Sequence, residues 1–186
     1  MYEKPGTNNW KTTTKKAELT VEEKVSERGF PCIRVTVEYD YDMLTIIRSM
    51  ADGPTRISCD MLIEDVHNVK QYGCNLISFY QKNIKIFPVS GRDMFAYSFI
   101  HVVNPNLIHH IVFANEDEIY PTKGHDKSLV RAMTPVSGNI YKTSPDNPNK
   151  TTCIHYIEAD LGGNIPNIVT QKVLNGETYG LLALKK

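Results

Sequence analysis

The sequence predicts an α+β fold: a curved antiparallel sheet wrapped around one long amphipathic helix at the C-terminal end. Three observations carry this. Apolar and polar residues alternate with period two through most of residues 16–159. A period of 3.6 appears in only two segments, a short one after residue 42 and a longer one at the end of the chain. The connections between strands are short and rich in Gly, Pro and Asn, which makes neighbouring strands antiparallel.

In chain order, a first strand is expected at Glu18–Val25 and a second at Cys32–Tyr39. In the latter, Ile33, Val35, Val37 and Tyr39 alternate with Arg34, Thr36 and Glu38. A short helix follows from Met43 to Asp52, with Met43, Ile46, Ile47 and Met50 on one face. Asp42 stands at its N-cap and Gly53-Pro54 at its stop. Further strands are expected at Leu62–Val69, Asn75–Gln81, Arg92–Val102, Leu107–Ala114, Ser128–Tyr141 and Thr151–Glu158, with a polar turn or loop over Thr143–Asn149. The last helix spans about 164–184, opened by Pro166, with a stripe of Ile165, Ile168, Val169, Val173, Leu181 and Leu184. Gly176 and Gly180 share a face of this helix, and each costs about 1 kcal/mol against Ala in a helix interior. They suit either close packing on the sheet or a helix that bends and moves.

With 186 residues and roughly 150 per domain, a single domain is expected. Its 21 Lys+Arg balance 21 Asp+Glu, so no basic footprint points to nucleic acid. No run of about 18 apolar residues is present for a membrane span, and the polar start at Met1–Gly6 does not read as a leader. The expected location is cytoplasmic, although a leader removed from the chain would leave no trace in it. Cys32, Cys59, Cys74 and Cys153 form no C-x-x-C pair, so buried free thiols are expected rather than zinc or redox chemistry. Asn149-Lys150-Thr151 fits a glycosylation sequon, which matters only in a secreted chain.

Common catalytic signatures are absent: G-x-S-x-G, H-E-x-x-H, G-x-x-x-x-G-K-[ST] and G-x-G-x-x-G do not occur. Among six histidines only His109-His110 are adjacent, and on a strand they point to opposite faces. One of them therefore faces inward as a hydrogen-bonded interior histidine, and the pair alone makes no metal site. The acidic run Asn115–Glu118 reads as a solvated loop. Phe95, Tyr97 and Phe99 share one face of a strand, a pattern that more often marks core than ligand platform. No cofactor and no metal are implied.

Four motifs in fixed order carry a resemblance. Pro88-Val89-Ser90-Gly91-Arg92-Asp93 resembles the P-x-S-x-R-D/E segment of the START family, the StAR-related lipid transfer domains. Arg56-Ile57-Ser58-Cys59-Asp60 is similar to that family's R-x-x-W-D, Val130-Arg131 to its V-R, and Asp160-Leu161-Gly162-Gly163-Asn164-Ile165-Pro166 to its D-x-x-G-x-I-P. The set spans roughly residues 10–185. Cys59 and Asn164 stand where the family has Trp, and the family's first helix is missing before Trp10.

The resemblance implies a helix-grip fold, a sheet curled around the C-terminal helix to enclose a hydrophobic tunnel. It also implies a lipid partner held one molecule at a time and, for its exchange, transient contact with a membrane surface; a monomer is the default expectation, and the charge balance already speaks against nucleic acid. Arg56 and Asp60 match head-group residues of the phosphatidylcholine transfer branch, so a phospholipid is expected ahead of a sterol or ceramide. A structural ion pair is the other role for these two. Arg92 and Asp93 are assigned to structure. The resemblance favours a mobile last helix, which makes Val169, Val173, Gly176 and Gly180 lid candidates and Phe95, Tyr97 and Phe99 tunnel candidates. The competing class is a cyclase or hydrolase on the same scaffold, which an inward histidine paired with a carboxylate would support. A lipid-binding sensor is a third.

Overall fold

Because alternate side chains of a strand share one face, the period-two pattern folds into a sheet with a continuous apolar inner surface. In the computed structural model, which describes residues 9–114, 126–163, 165 and 167–185, one sheet contains every described strand. These are β1 (Lys11–Lys16), β2 (Leu19–Val25), β3 (Pro31–Tyr39), β4 (Ile63–Gln71), β5 (Leu76–Asn83), β6 (Arg92–Asn104), β7 (Leu107–Phe113), β8 (Val130–Arg131), β9 (Ser137–Ser144) and β10 (Asn147–Glu158). Their order is β1-β2-β3-β10-β9-β7-β6-β5-β4 with antiparallel neighbours, and β8 runs parallel to β6. Helices α1 (Met43–Ala51), α2 (Gly53–Cys59) and α3 (Asn167–Ala183) complete the fold. The acidic run, His125, Asn164 and Pro166 fall outside the described residues.

Five expectations need correction. Lys11–Lys16 is a strand although it carries no apolar face, because the ladder with β2 holds a largely exposed edge. Gly53-Pro54 does not end helical structure. The Asp52 N–H closes α1 on the Arg48 carbonyl, and the Asp52 carboxylate opens α2 by accepting from Thr55 N at 2.9 Å. The segment expected as one strand at Ser128–Tyr141 is two, β8 and β9, broken around Pro135. The expected loop at Thr143–Asn149 is a tight hairpin, in which β9 runs to Ser144 and β10 resumes at Asn147. Of the thiols expected to be buried, Cys32 and Cys153 are, whereas Cys59 is half-buried and Cys74 exposed.

The solid core lies where β2, β3, β9 and β10 meet α1 and the end of α3. Val35, Tyr39 and Tyr141 are 0 % exposed there, with Ile46 and Leu181 closing from the helices. Tyr39 Oη donates to the Leu181 carbonyl at 2.8 Å, which pins the C-terminal half of α3 to β3. Asp42 caps α1 through Thr45 N at 3.0 Å, as its position in the sequence predicts.

Three of the four motifs converge on one clasp. Asp93, 0 % exposed, receives Arg131 Nε at 2.8 Å and Nη2 at 3.0 Å, and the Tyr80 hydroxyl at 3.1 Å. Arg92 Nε donates to the Leu161 carbonyl at 3.2 Å and Nη2 to the Gly162 carbonyl at 3.3 Å. Gly162 has φ +70°, and a Cβ there would lie 3.0 Å from the Arg131 carbonyl oxygen. Met133 and Asp160 bridge the same loop. The clasp fixes the chain that enters α3, so Arg92 and Asp93 act in structure.

Candidate functional site

Toward β4, β5 and β6 the inner face of the sheet is not covered by side chains. A cavity of about 400 Å³ separates it from α2 and α3, a size at the lower end of the range for ligand pockets. Its wall is mostly apolar, with Ile77, Phe79, Met94 and Ile100 from the sheet and Val169 and Val173 from α3. Against this background two polar groupings stand out.

The first is at the α2 end. Arg56 lines the cavity from α2 and donates Nη2 to Gln81 Oε1 at 2.8 Å, while Gln81 donates to Asn83 Oδ1 at 3.1 Å. No carboxylate pairs with Arg56 among the described residues. Asp60, the C-cap of α2, is 6 % exposed and accepts from Leu62 N at 2.8 Å. Burial raises its carboxyl above the ordinary carboxylate range, against the pull of the Leu62 N–H and the Arg56 charge. Arg56 lies in the last turn of α2 and Asp60 caps its C-terminus, and both line the cavity without joining in an ion pair. A guanidinium whose donors are mostly uncommitted among the described residues, at the wall of a mostly apolar cavity, has the chemistry to take an anion.

The second crosses the sheet. His110, Asn139 and His155 sit in register on β7, β9 and β10. Asn139 Nδ2 donates to His110 Nδ1 at 3.0 Å, which leaves the ring hydrogen on Nε2 to be donated to Ser98 Oγ at 2.8 Å. Asn139 Oδ1 accepts from His155 Nδ1 at 2.6 Å and from Cys153 Sγ at 3.6 Å. Burial, then the Arg56 charge, pushes His110 down to about 4. Burial, then His110 and Arg56, pushes His155 down to about 3. Both rings are therefore neutral near pH 7. His110 is the inward member of the His109-His110 pair, as strand parity requires. His109 faces out, 6.3 Å from His101 by ring centroids.

Ser98, His110 and Asn139 stand in the order of nucleophile, base and orienting residue, but the surroundings suit binding rather than acyl transfer. A ring held near pKa 4 is a weak general base at neutral pH. Ser98 is flanked in the ladder by both Ile77 and Val112, so its backbone N–H is not available as an oxyanion donor. The partner the two inward histidines share is the Asn139 amide.

Of the residues singled out from sequence, Arg56, Asp60, Val169, Val173 and Gly180 line the cavity. Gly176 does not; a Cβ there would meet Leu62 Cδ1 at 2.2 Å, and one on Gly180 would meet Asp60 Cβ at 3.3 Å. The two glycines seat α3 closely against the segment after α2. Phe95, Tyr97 and Phe99 stand on the opposite face of β6, whose cavity side carries Met94, Ser98 and Ile100. The aromatic run closes the outside of the sheet, where Tyr97 packs on Phe95, Phe113 and Tyr72. Sequence reading missed Gln81, Asn139 and His155. The only available signal was a polar residue at an inward position of an otherwise apolar alternation.

No protein-family profile matches the sequence, and no curated protein matches it. Solved structures do match. Human StAR-related lipid transfer protein 5 superposes with a TM-score of 0.82 at 17 % identity over 97 % of this chain and 86 % of its own. Human STARD10 gives 0.77 at 18 % identity over 94 % of this chain and 72 % of its own. A STAR-related lipid transfer protein from Xanthomonas axonopodis gives 0.75 at 19 % identity over 95 % and 96 %. The chain thus has the helix-grip fold of these START domains.

Proposed function

We propose that this START-like chain binds one lipid molecule in its cavity and carries it between membranes, with an anionic head group at Arg56 and the apolar body against α3. The observation that carries this reading is a guanidinium that lines a mostly apolar cavity and has no carboxylate partner among the described residues. It favours a phospholipid such as phosphatidylcholine over a sterol, because two parallel hydrogen bonds to phosphate match a guanidinium better than a single hydroxyl does. Asp60 then faces the quaternary ammonium. The human and Xanthomonas proteins of the same fold carry lipid transfer in their names, which supports the general class.

The mechanism follows from solubility. Moving an acyl chain of about fifteen methylenes into water costs roughly 12 kcal/mol at about 0.8 per CH₂, so release must occur at a bilayer, where the chain passes between two apolar phases. Phe87 is 86 % exposed and Met61 83 %. The Leu62 carbonyl next to Met61 accepts from Ile84 N at 2.9 Å, which brings these two loops together beside cavity-lining Ile84 and Ile86. This apolar rim meets the membrane, and the N-terminal half of α3 swings while its C-terminal half stays pinned through Tyr39. No helix among the described residues is long and apolar enough to cross a membrane, so the contact is peripheral.

Transfer of fluorescent phosphatidylcholine between vesicles tests the reading, with a fluorescent sterol in parallel and Arg56→Ala beside the native chain. Phosphatidylcholine transfer that falls at least tenfold in R56A supports it. Sterol transfer indifferent to the substitution reverses the ligand choice. Transfer of neither lipid contradicts the carrier.

A further inference from the structure

The cross-sheet grouping has no use in a pocket for plain hydrocarbon. Inward positions on β7, β9 and β10 elsewhere carry Ile108, Tyr141, Cys153 and Ile157, and a purely apolar wall would be as stable, since replacing both partners of a buried hydrogen bond by apolar groups is close to neutral. Instead Ser98, His110, Asn139 and His155 are built in and hold one another in a fixed order. The order has a directed end. Ser98 Oγ accepts from His110, so its own hydrogen remains to be donated, and Ser98 lines the cavity. Two residues along β9 from Asn139, Tyr141 also lines it, 0 % exposed, and its hydroxyl has a thioether, Met50 Sδ at 3.0 Å, as acceptor. Sulfur is a weak acceptor, so this hydroxyl too has hydrogen-bonding capacity to spare.

The distance from the head-group end is set by the strands. Gln81, which holds Arg56, is paired with Met94, and Ser98 lies four residues further along β6, about 13 Å at roughly 3.3 Å per residue. The second polar group therefore meets the apolar body of a ligand anchored at Arg56, at a depth where the Arg56 charge still bears on His110 and His155.

We propose that Ser98, oriented by His110 and Asn139, and Tyr141 form a second polar subsite that binds a hydroxyl on the apolar body of the ligand. The inference rests on the carrier reading and narrows it: the preferred lipid carries an anionic group at one end and a hydroxyl along its apolar body. A saturated chain laid across Ser98 leaves its hydroxyl desolvated without a partner, whereas a hydroxyl at that depth satisfies it and accepts or donates in turn. A site built around hydrogen bonds discriminates against the ligand that lacks the bonding group.

Calorimetric titration of the full chain with stearate and with 12-hydroxystearate tests this, since both present a carboxylate to Arg56 and differ only along the chain. The native protein is expected to bind 12-hydroxystearate about tenfold more tightly. Ser98→Ala is expected to bring the two within twofold, by weakening 12-hydroxystearate and by lifting the desolvation penalty on stearate, with an unchanged thermal melt as the control for folding. Ser98→Thr, which keeps the hydroxyl, is expected to retain the preference. Equal affinities in the native chain, or a preference that survives in S98A, would overturn the subsite while leaving the carrier reading in place. Binding of neither ligand would overturn the subsite, and the vesicle transfer assay decides the carrier reading separately.

Discussion

The two halves of the sheet present the same alternation of inward apolar residues, yet one is filled and the other hollow. Over β2, β3 and β10 the inner face meets α1 and the pinned end of α3, and Val35, Val37 and Tyr39 are at most 1 % exposed. Over β4, β5 and β6 the inner face meets a cavity of about 400 Å³. The difference lies in what covers the sheet. On the filled side a nine-residue helix lays Met43 and Ile46 into the strands. On the hollow side α2 has no fully buried residue, and α3 approaches Leu62 and Asp60 closely at its glycines while Val169 and Val173 line the cavity. Side chains on the first side are spent on cohesion; those on the second are left for a guest.

The sharpest way to break this contrast is to shorten a side chain on each side. Ile46→Ala should cost about 3–4 kcal/mol in urea unfolding, because it opens a sealed void. Met94→Ala, which only enlarges a space already present, should cost less than about 1 kcal/mol. Equal losses would mean that the cavity is as tightly filled as the core.

Next in size is the seam between the halves. Gly138 has φ +147°, and a Cβ there would lie 2.0 Å from the His110 carbonyl oxygen. Gly138→Ala should therefore cost about 3 kcal/mol, through strain and through a β7–β9 ladder forced apart beside His110 and Asn139. A loss below about 1 kcal/mol would contradict the close approach.

Acid should act through the same seam. His110 titrates near 4 and His155 near 3 in the folded chain, against 6.5 when unfolded. The unfolded chain binds these protons first, so stability is complete above pH 6.5 and is lost as pH falls toward those two values, by about 3 kcal/mol for His110 alone. Asp60 works in the opposite sense, because its raised folded value favours the fold as pH falls through the carboxylate range. Urea midpoints at pH 7.5 and 4.5 should separate less in His110→Gln and His155→Gln than in the native chain. An unchanged separation would remove the neutral rings from the account.

Arg56→Ala should have the smallest effect on stability, within about 0.5 kcal/mol, since among the described residues it makes one side-chain hydrogen bond and lines the cavity. Its effect on lipid binding should be at least tenfold, because bonds to a charged group are worth about 1.5–3 kcal/mol. A thermal melt beside a binding titration separates the two.

The filled half was the legible one. Alternation at Cys32–Tyr39 and the Asp42 cap give β3 and α1 nearly to the residue, because burial on one side and one hydrogen bond decide them locally. The hollow half was not legible, for the reason that makes it a binding site. On β6 the bulky Phe95, Tyr97 and Phe99 suggest the inward face, but a cavity wall needs smaller residues, and Met94, Ser98 and Ile100 provide it. Asn139 and His155 are sixteen residues apart and become a pair only through the β9–β10 register. Arg56 and Asp60 were reachable through motif order alone, while α2, which carries Arg56, was hidden behind Gly53-Pro54.

The central claim is that the hollow half holds one lipid. Native mass spectrometry of the full chain after incubation with phosphatidylcholine vesicles tests it most directly, with Met94→Trp as a chain whose cavity is partly filled. The account predicts a single bound lipid per chain, retained in the native protein and strongly reduced in M94W. A native chain that emerges without lipid, or one that binds several molecules regardless of Met94→Trp, would contradict it.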